Sequence, residues 1–274
     1  MFLLRWRCIF HSRWLRRIKP IIDLTAVRIV PTALFNLVFP DECRVCNRPL
    51  ANLSRIPVCP SCLHEPKPFV AEHFCADCGT PFLNSAPLDA NGRCSLCRNG
   101  LSGYDAVYTY GEYDGALRNL IHVFKYGGIM PLASRLGPLL SSALPREQQF
   151  DVIVAMPLHW RKKLQRGFNQ SELLARSVSR RTGIPVADAL RRRKSTAPQA
   201  GLTRAQRRTN VAGVFEVSRR DKVEGLHVLL IDDVFTTGAT AGTCAAALKR
   251  AGAKRVSVLT LARADRRKSL ARVL

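Results

Sequence analysis

Two groups of residues in this chain have types and spacings that could do chemistry. The first is a series of four CxxC pairs, Cys43/Cys46, Cys59/Cys62, Cys75/Cys78 and Cys94/Cys97, with intervals of twelve, twelve and fifteen residues. Each pair puts two sulfurs on one tight turn, and two such turns supply the four thiolates that structural zinc prefers. The expectation is two structural Zn²⁺ ions. The pairs can join in sequence or interleave, and spacing leaves both open, as it leaves an iron–sulfur cluster as the alternative. The second group is VLLIDDVFTTGAT at residues 228–240. An apolar run enters Asp232 and Asp233, then Thr236-Thr237-Gly238-Ala239-Thr240 and an alanine-rich helical pattern. Such a turn aims backbone N–H groups and the positive end of a helix at a phosphate. The carboxylates would repel a phosphate and instead suit sugar hydroxyls, directly or through a metal-bound water. Phosphate at one end and diol at the other describe a ribose 5-phosphate.

Other phosphate motifs are absent. No Lys follows Gly238 as a Walker A loop requires, and there is no GxGxxG. The plainer alternative is a strand-end turn in which one acid caps the helix.

These residues need elements to hold them. Residues 104–113 alternate as a strand or hairpin, and residues 114–126 read as a helix capped by Asp114 and ended by Gly127-Gly128. A second helix covers 130–144. Residues 150–156 form a buried strand that opens into Pro157-Leu158-His159 and a basic loop ending in Arg166-Gly167-Phe168-Asn169-Gln170. His159 could contact phosphate or serve as a hydrogen-bonded turn residue. Asn169 and Gln170 could position substrate, and Asn169 or Ser171 could cap the helix over 171–182. A short strand at 186–190 precedes a long basic stretch, 191–210, whose length suggests a functional loop. Residues 223–231 form the strand entering the acidic pair, 238–251 its helix and 254–262 the next strand. Alternating strands and helices predict a parallel sheet covered on both faces. The organisation is therefore a basic extension and short helix (1–40), a cysteine module (41–100) and an α/β domain (101–274).

Composition sets the outer limits. The 274 residues carry a formal charge of +23 and are 47% hydrophobic, so a packed core is expected and global disorder is not. The charge favours polyanions such as nucleic acid, an anionic membrane or phosphorylated substrates; an arginine-rich solvated surface is the alternative. Arg5, Arg7, Arg13, Arg16, Arg17 and Lys19 alternate with Trp6, Phe10 and Trp14, which suits a membrane surface, a nucleic acid, or a loose extension. No apolar run approaches the ~18 residues of a spanning helix. The paired cysteines fit a reducing, cytoplasmic setting. His64 and His73 read as bystanders and Cys244 as a buried small side chain.

Five segments together resemble the ComF competence family, including its GntX-like members, over residues 29–263. They are the CxxC series, IHVFKYGG at 121–128, MPLHWRKKLQRGFNQSELLAR at 156–176, TAPQAGLTRAQRRTNVAGVF at 196–215 and VLLIDDVFTTGAT. The last is similar to the PRPP-binding motif of type I phosphoribosyltransferases. The resemblance implies a type I phosphoribosyltransferase fold, a Rossmann-like parallel sheet with a hood, preceded by a double zinc ribbon. It implies that Asp232 and Asp233 bind the ribose hydroxyls of PRPP with Mg²⁺ nearby, and that Thr236, Thr237, Gly238, Ala239 and Thr240 hold the 5-phosphate. Pro157, Leu158 and His159 would form the pyrophosphate loop, with Arg166 and Lys125 as further contacts. Residues 196–210, with Arg204, Arg207 and Arg208, would form the catalytic loop. Asp232, Asp233, Lys125 and Arg207 are thus the candidate catalytic residues. Ala155 departs from the family, which often has a proline there. Transfer of phosphoribosyl to a nitrogen acceptor, linked to DNA uptake, is the implied activity. A PRPP-responsive, catalytically silent protein that binds single-stranded nucleic acid is the alternative, and other competence proteins are implied as partners.

Overall fold

The computed structural model describes residues 41–52, 54–82, 84–98, 103–192 and 214–264. The expected helix within residues 29–39, the basic extension before it, and the arginine loop with Arg204, Arg207 and Arg208 lie outside the described residues.

The cysteine region uses short elements: α1 (Pro60–His64), the antiparallel pair β1 (His73–Phe74) and β2 (Pro81–Phe82), and α2 (Ser95–Arg98). From there the chain alternates strand and helix. β3 (Ala106–Glu112) leads to α3 (Gly115–Tyr126), a 3₁₀ turn (Met130–Leu132) and α4 (Ala133–Ser142). β4 (Val152–Ala155) leads to α5 (Trp160–Arg166), α6 (Gln170–Thr182) and β5 (Val186–Ala187). The antiparallel strands β6 (Leu190–Arg192) and β7 (Phe215–Val217) flank the arginine loop, and β8 (His227–Phe235), α7 (Ala239–Arg250) and β9 (Arg255–Arg263) follow.

Alternation along the strands decides how these layers stack. In β8, Leu229 and Ile231 join one apolar cluster while Val228 and Leu230 join another. β4 divides in the same way, with Ile153 on one face and Val152 and Val154 on the other. A strand that is apolar on both faces needs cover on both, which a parallel sheet with crossover helices provides. The five strands lie in the order β3-β9-β8-β4-β5, each neighbouring pair parallel. One face packs Leu117, Leu120, Ile121 and Phe124 of α3 with Leu136 and Leu140 of α4 and Leu174 and Val178 of α6. The other receives the small face of α7, where Cys244, Ala245 and Leu248 are buried. Each large side chain taken out of water contributes roughly 1.5–3 kcal/mol.

Local signals hold in most places. Asp114 caps α3 by accepting from the Gly115 N–H at 2.8 Å, and Asn169 caps α6 by accepting from the Ser171 N–H at 3.1 Å. Several boundaries differ from the sequence reading, among them the strand expected over 186–190, which splits into β5 and β6, and the strand expected from 223, which begins at His227. The helix expected over 130–144 begins as a 3₁₀ turn, with Pro131 unable to donate to a preceding turn. Residues 160–166 form helix α5 where a basic loop was expected; it buries none of its residues, so it shows no apolar period to read. β8 runs on through both acids to Phe235, because β9 pairs with it as far as Phe235 and Arg263.

The cysteine region is built against the sheet. Tyr110 of β3 donates its hydroxyl to the Pro66 carbonyl at 2.9 Å, and the Phe69 N–H donates to the Tyr110 carbonyl at 2.8 Å. Cys43, Val58 and Cys62 sit in the same apolar cluster as the α3 face.

Candidate functional site

The eight paired cysteines form two quartets in sequential pairing, Cys43–Cys46–Cys59–Cys62 and Cys75–Cys78–Cys94–Cys97, with the sulfurs of each within 4.8 Å of one another. Cys46 and Cys59 sulfurs are 3.7 Å apart and Cys78 and Cys94 sulfurs 3.8 Å. A tetrahedral centre with Zn–S bonds of about 2.3 Å requires sulfur separations of roughly 3.8 Å, so the donor sets fit. Backbone N–H groups already serve the sulfurs: Cys59 N–H donates to Cys43 Sγ and Cys94 N–H to Cys75 Sγ, each at 3.3 Å.

Charge behaves as an S₄ site demands. Burial works to raise the Cys43 thiol, yet N–H groups of Cys59, Cys46 and Val45 outweigh it and hold the group at about 6. Cys62 is pushed up by burial, by hydrogen bonding with Cys59, Cys46 and Cys43, and by the charge on Cys43. In the second quartet, hydrogen bonding from Cys97 outweighs burial and brings Cys78 down to about 4, helped by Thr80 and Arg263. Cys97 is driven up in turn, first by Cys78. One thiolate forms readily and the next is opposed; a divalent cation between them removes the conflict. His64 and His73 belong to neither quartet.

The acidic pair lies in the last part of β8, just past its pairing with β4 and still paired with β9. Asp233 is buried and forms an ion pair with Lys125, from the last turn of α3, at 2.9 Å. Asp232 accepts from the Ser171 hydroxyl at 3.1 Å and from the Asp233 N–H at 2.9 Å. Burial, and then the charge of Asp233, raise Asp232 to about 7, against the opposing pull of the Asp233 N–H, Lys125 and Ser171. Two adjacent carboxylates held with one cation are poised for a ligand that brings further hydroxyls or positive charge.

Beyond the pair, Thr236, Thr237, Ala239 and Thr240 are exposed while Gly238 is buried. Gly238 has φ +74°, and a Cβ there would lie 2.7 Å from Phe235 Cζ and 2.9 Å from the Tyr104 hydroxyl. Only glycine both adopts that conformation and clears those rings. It stands at the N-cap of α7, where the Ala239 N–H donates to Thr237 Oγ1 at 3.3 Å and the exposed turn adjoins the positive end of the helix.

Lys125 also lines a cleft of about 390 Å³ with Tyr126, Gly127, Gly128, Lys162, Gln165 and Arg166. Arg166 donates to the Tyr126 hydroxyl at 3.2 Å and stacks over its ring at 4.8 Å. Among the described residues, three cations line that cleft and no carboxylate does. Pro157, Leu158 and His159 follow β4, and His159 caps α5, with its Nδ1 accepting from the Arg161 N–H at 3.3 Å. Desolvation, then the charges of Arg192, Arg161 and Lys162, keep the imidazole below its ordinary range. Pro157 and Leu158 instead line a second cleft of about 460 Å³, beside Asn169, Glu172, Arg176 and the β5–β6 segment. The structure thus brings Lys125, Arg166, Asp232 and Asp233 around one place and leaves Pro157 and Leu158 facing the neighbouring hollow.

Sequence reasoning weighed Asn169 and Ser171 only as caps or substrate contacts and did not join Ser171 to Asp232. It also missed Tyr126, Lys162 and Gln165, although Tyr126 and Gln165 stand beside named candidates in the quoted segments. Cys244 is buried as expected, its thiol 3.2 Å from Met156 Sδ. No helix among the described residues is long and apolar enough to cross a membrane.

Comparisons with known proteins agree with this layout. Residues 169–273 match the phosphoribosyl transferase domain and residues 34–99 the double zinc ribbon domain. The DNA utilization protein YhgH of Escherichia coli K12 is 31% identical over 234 residues, 83% of this chain and 99% of that protein. Competence protein F of Haemophilus influenzae is 29% identical over 76% of this chain and 90% of its own length. Competence protein ComFC of Bacillus subtilis is 29% identical over 75% and 84% respectively. A solved adenine phosphoribosyltransferase from Thermoanaerobacter pseudethanolicus is similar over 54% of this chain and 77% of its own, at 22% identity and a TM-score of 0.34. Two zinc-ribbon quartets and a parallel phosphoribosyltransferase-type sheet therefore make up the described chain.

Proposed function

This chain belongs to the ComF competence family, and on that premise we propose that it binds PRPP with Mg²⁺ and transfers the phosphoribosyl group to a nitrogen nucleophile. The observation that carries this reading is the position of Lys125, which pairs with Asp233 and lines the all-cationic cleft with Lys162 and Arg166. A pyrophosphate in that cleft would lie next to a diol on the acidic pair, with a 5-phosphate on the turn from Thr236 to Thr240. In the transfer, the bond from C1 of the ribose to the pyrophosphate oxygen breaks, and a bond from C1 to the acceptor nitrogen forms. Positive charge develops on the sugar and negative charge on the leaving group. Lys125, Lys162 and Arg166 neutralise the leaving pyrophosphate. Asp232 and Asp233 accept from the ribose hydroxyls and fix the ring for attack. Adjacent carboxylates are hard oxygen donors of the kind Mg²⁺ takes, and the ion, when bound, would add charge neutralisation at the phosphate oxygens. The role of Arg207 and its loop as a cover over the site comes from the family resemblance. In this reading the paired thiols suit a reducing cytoplasm, with a zinc module assigned to 41–100 and a transferase domain assigned to 101–274.

The test is pyrophosphate release from PRPP, with and without candidate bases and single-stranded DNA. Alongside it, Asp232→Asn combined with Asp233→Asn should abolish PRPP-dependent thermal stabilisation. Stabilisation equal to wild type would remove the site assignment.

One feature favours a second reading, a PRPP-responsive binder of single-stranded nucleic acid. Tyr126 is 63% exposed and Trp160 49%, and each carries an arginine: Arg166 over Tyr126 and Arg161 over Trp160, the latter at 5.3 Å. Exposed rings interleaved with cations suit stacked bases and a phosphate backbone. The relatives named for DNA utilization and competence agree with such a partner, and with contacts to other competence proteins. Affinity for single strands should fall steeply with salt, and Trp160→Ala should weaken it by roughly 1–3 kcal/mol per base stacked. A flat salt response would exclude this reading.

A further inference from the structure

Arg263 ends β9 and belongs to neither the cysteine quartets nor the acidic pair. Its guanidinium joins the second quartet to Phe235, at the end of the strand that carries the pair. On one side it donates from Nη1 to the Cys78 carbonyl and from Nη2 to Thr80 Oγ1, the latter at 2.6 Å. Thr80 Oγ1 lies 2.9 Å from Cys78 Sγ, so the contact reaches a quartet sulfur through one hydroxyl. On the other side the guanidinium covers the Phe235 ring at 4.6 Å. Phe235 is 4% exposed, meets Tyr104 edge to face at 5.9 Å, and points its ring at the space a Gly238 side chain would fill. Phe235 and Arg263 are also register partners in the β8–β9 ladder, so ring and guanidinium are fixed at the backbone as well.

We propose that Arg263 is a positioning residue: it uses the second cysteine knuckle as an anchor, holds Phe235 beneath Gly238, and so sets the shape of the 5-phosphate turn. This rests on the phosphoribosyl reading above and adds to it a reason for the second quartet to stand where it does. The turn recognises phosphate through backbone N–H groups, which lose their aim when the chain beneath them shifts. A planar guanidinium suits the task, because its face packs on a ring while its edge donates to two oxygens, and lysine cannot do both. The structure separates this arm from the other end of the site: among the described residues, the hydrogen-bond and ring partners of Arg263 are not ones that line the cleft of Lys125, Lys162 and Arg166.

That separation supplies the test. Zinc-loaded full-length wild type, Arg263→Gln, Arg263→Lys and Thr80→Val are titrated calorimetrically with ribose 5-phosphate and, separately, with inorganic pyrophosphate plus Mg²⁺. Zinc content and melting temperature are recorded for each. The expected result is a loss of ribose 5-phosphate affinity of about tenfold in Arg263→Gln, the size of one lost oriented interaction. Thr80→Val should lose about threefold on the same scale, and Arg263→Lys should not restore binding. Pyrophosphate affinity and zinc content should match wild type in all three. Equal weakening of both ligands would mean general loosening and would overturn the proposal, as would unchanged ribose 5-phosphate binding. If Arg263→Gln does not fold, Thr80→Val, which leaves the guanidinium in place, carries the same two outcomes. A wild type that binds neither ligand overturns the phosphoribosyl reading itself and this inference with it.

Discussion

The two cysteine quartets share ligand type, sequential pairing and a matching turn, yet they are joined to the α/β layers by different physics. The first is absorbed into the core: Cys43 and Cys62 cluster with Leu117, Ile121 and Phe124. The second forms a small cluster of its own with Phe82 and Leu88 and reaches the sheet through Arg263 and through direct backbone contact. Their turns expose the difference. Asn47 follows the first CxxC with φ +58°, Gly79 follows the third with φ +62°, and each donates its N–H to the first cysteine carbonyl of its turn at 2.8 Å. At Gly79 a Cβ would lie 2.4 Å from the Val107 carbonyl oxygen of β3. One knuckle tolerates a side chain because it faces outward; the other is pressed against a strand. The same metal geometry can thus supply core stability in one place and alignment in another.

Predictions follow from breaking each side. Cys62→Ala should have the largest effect, removing a metal ligand from the shared core, with a cost of roughly 4 kcal/mol or more. Calorimetry should show melting lower by about 10 °C, with half the zinc lost. Cys97→Ala should lose the same share of zinc with a smaller fall in melting, because its cluster is separate; equal falls would erase the distinction between the quartets. Gly79→Ala should cost on the order of 2 kcal/mol, from the positive φ and the clash with β3. Asn47→Gly should change stability by only a few tenths of a kcal/mol, since that turn already accepts either residue.

A pH measurement extends the contrast to the acidic pair. Asp232 is raised to about 7, so the folded protein holds its proton more tightly than the unfolded chain does. Its contribution is fully favourable below the unfolded carboxylate range and is lost as pH rises toward 7. Asp232→Asn should therefore raise the stability of the ligand-free protein at pH 8, by on the order of 2 kcal/mol, and make little difference near pH 4. Denaturant melts at the two pH values check this. A variant less stable than wild type at pH 8 would contradict the assigned burial.

How much of this was legible follows the same line. CxxC spacing announces the S₄ sites, and alternation announces the sheet, because both depend on near neighbours in sequence. Asp114 and Asn169 were readable as caps for that reason. Helix α5 was not: it buries nothing, so WRKKLQR carries no apolar period. In the candidate site, Asp232, Asp233 and the glycine turn could be proposed from the residues themselves, and Lys125 only through family resemblance. The bond from Ser171 to Asp232 spans sixty-one positions, and that from Arg263 to Thr80 spans 183. Contacts of that reach leave no local pattern.

Several joins between the cysteine region and the sheet engage main-chain groups: the Phe69 N–H on the Tyr110 carbonyl, the Tyr110 hydroxyl on the Pro66 carbonyl, Gly79 against Val107. Such seams have no slack for a new surface. A chimera carrying a foreign ribbon would need its seam redesigned before either half folded well. Recombination breakpoints among relatives should accordingly avoid residues 66–111.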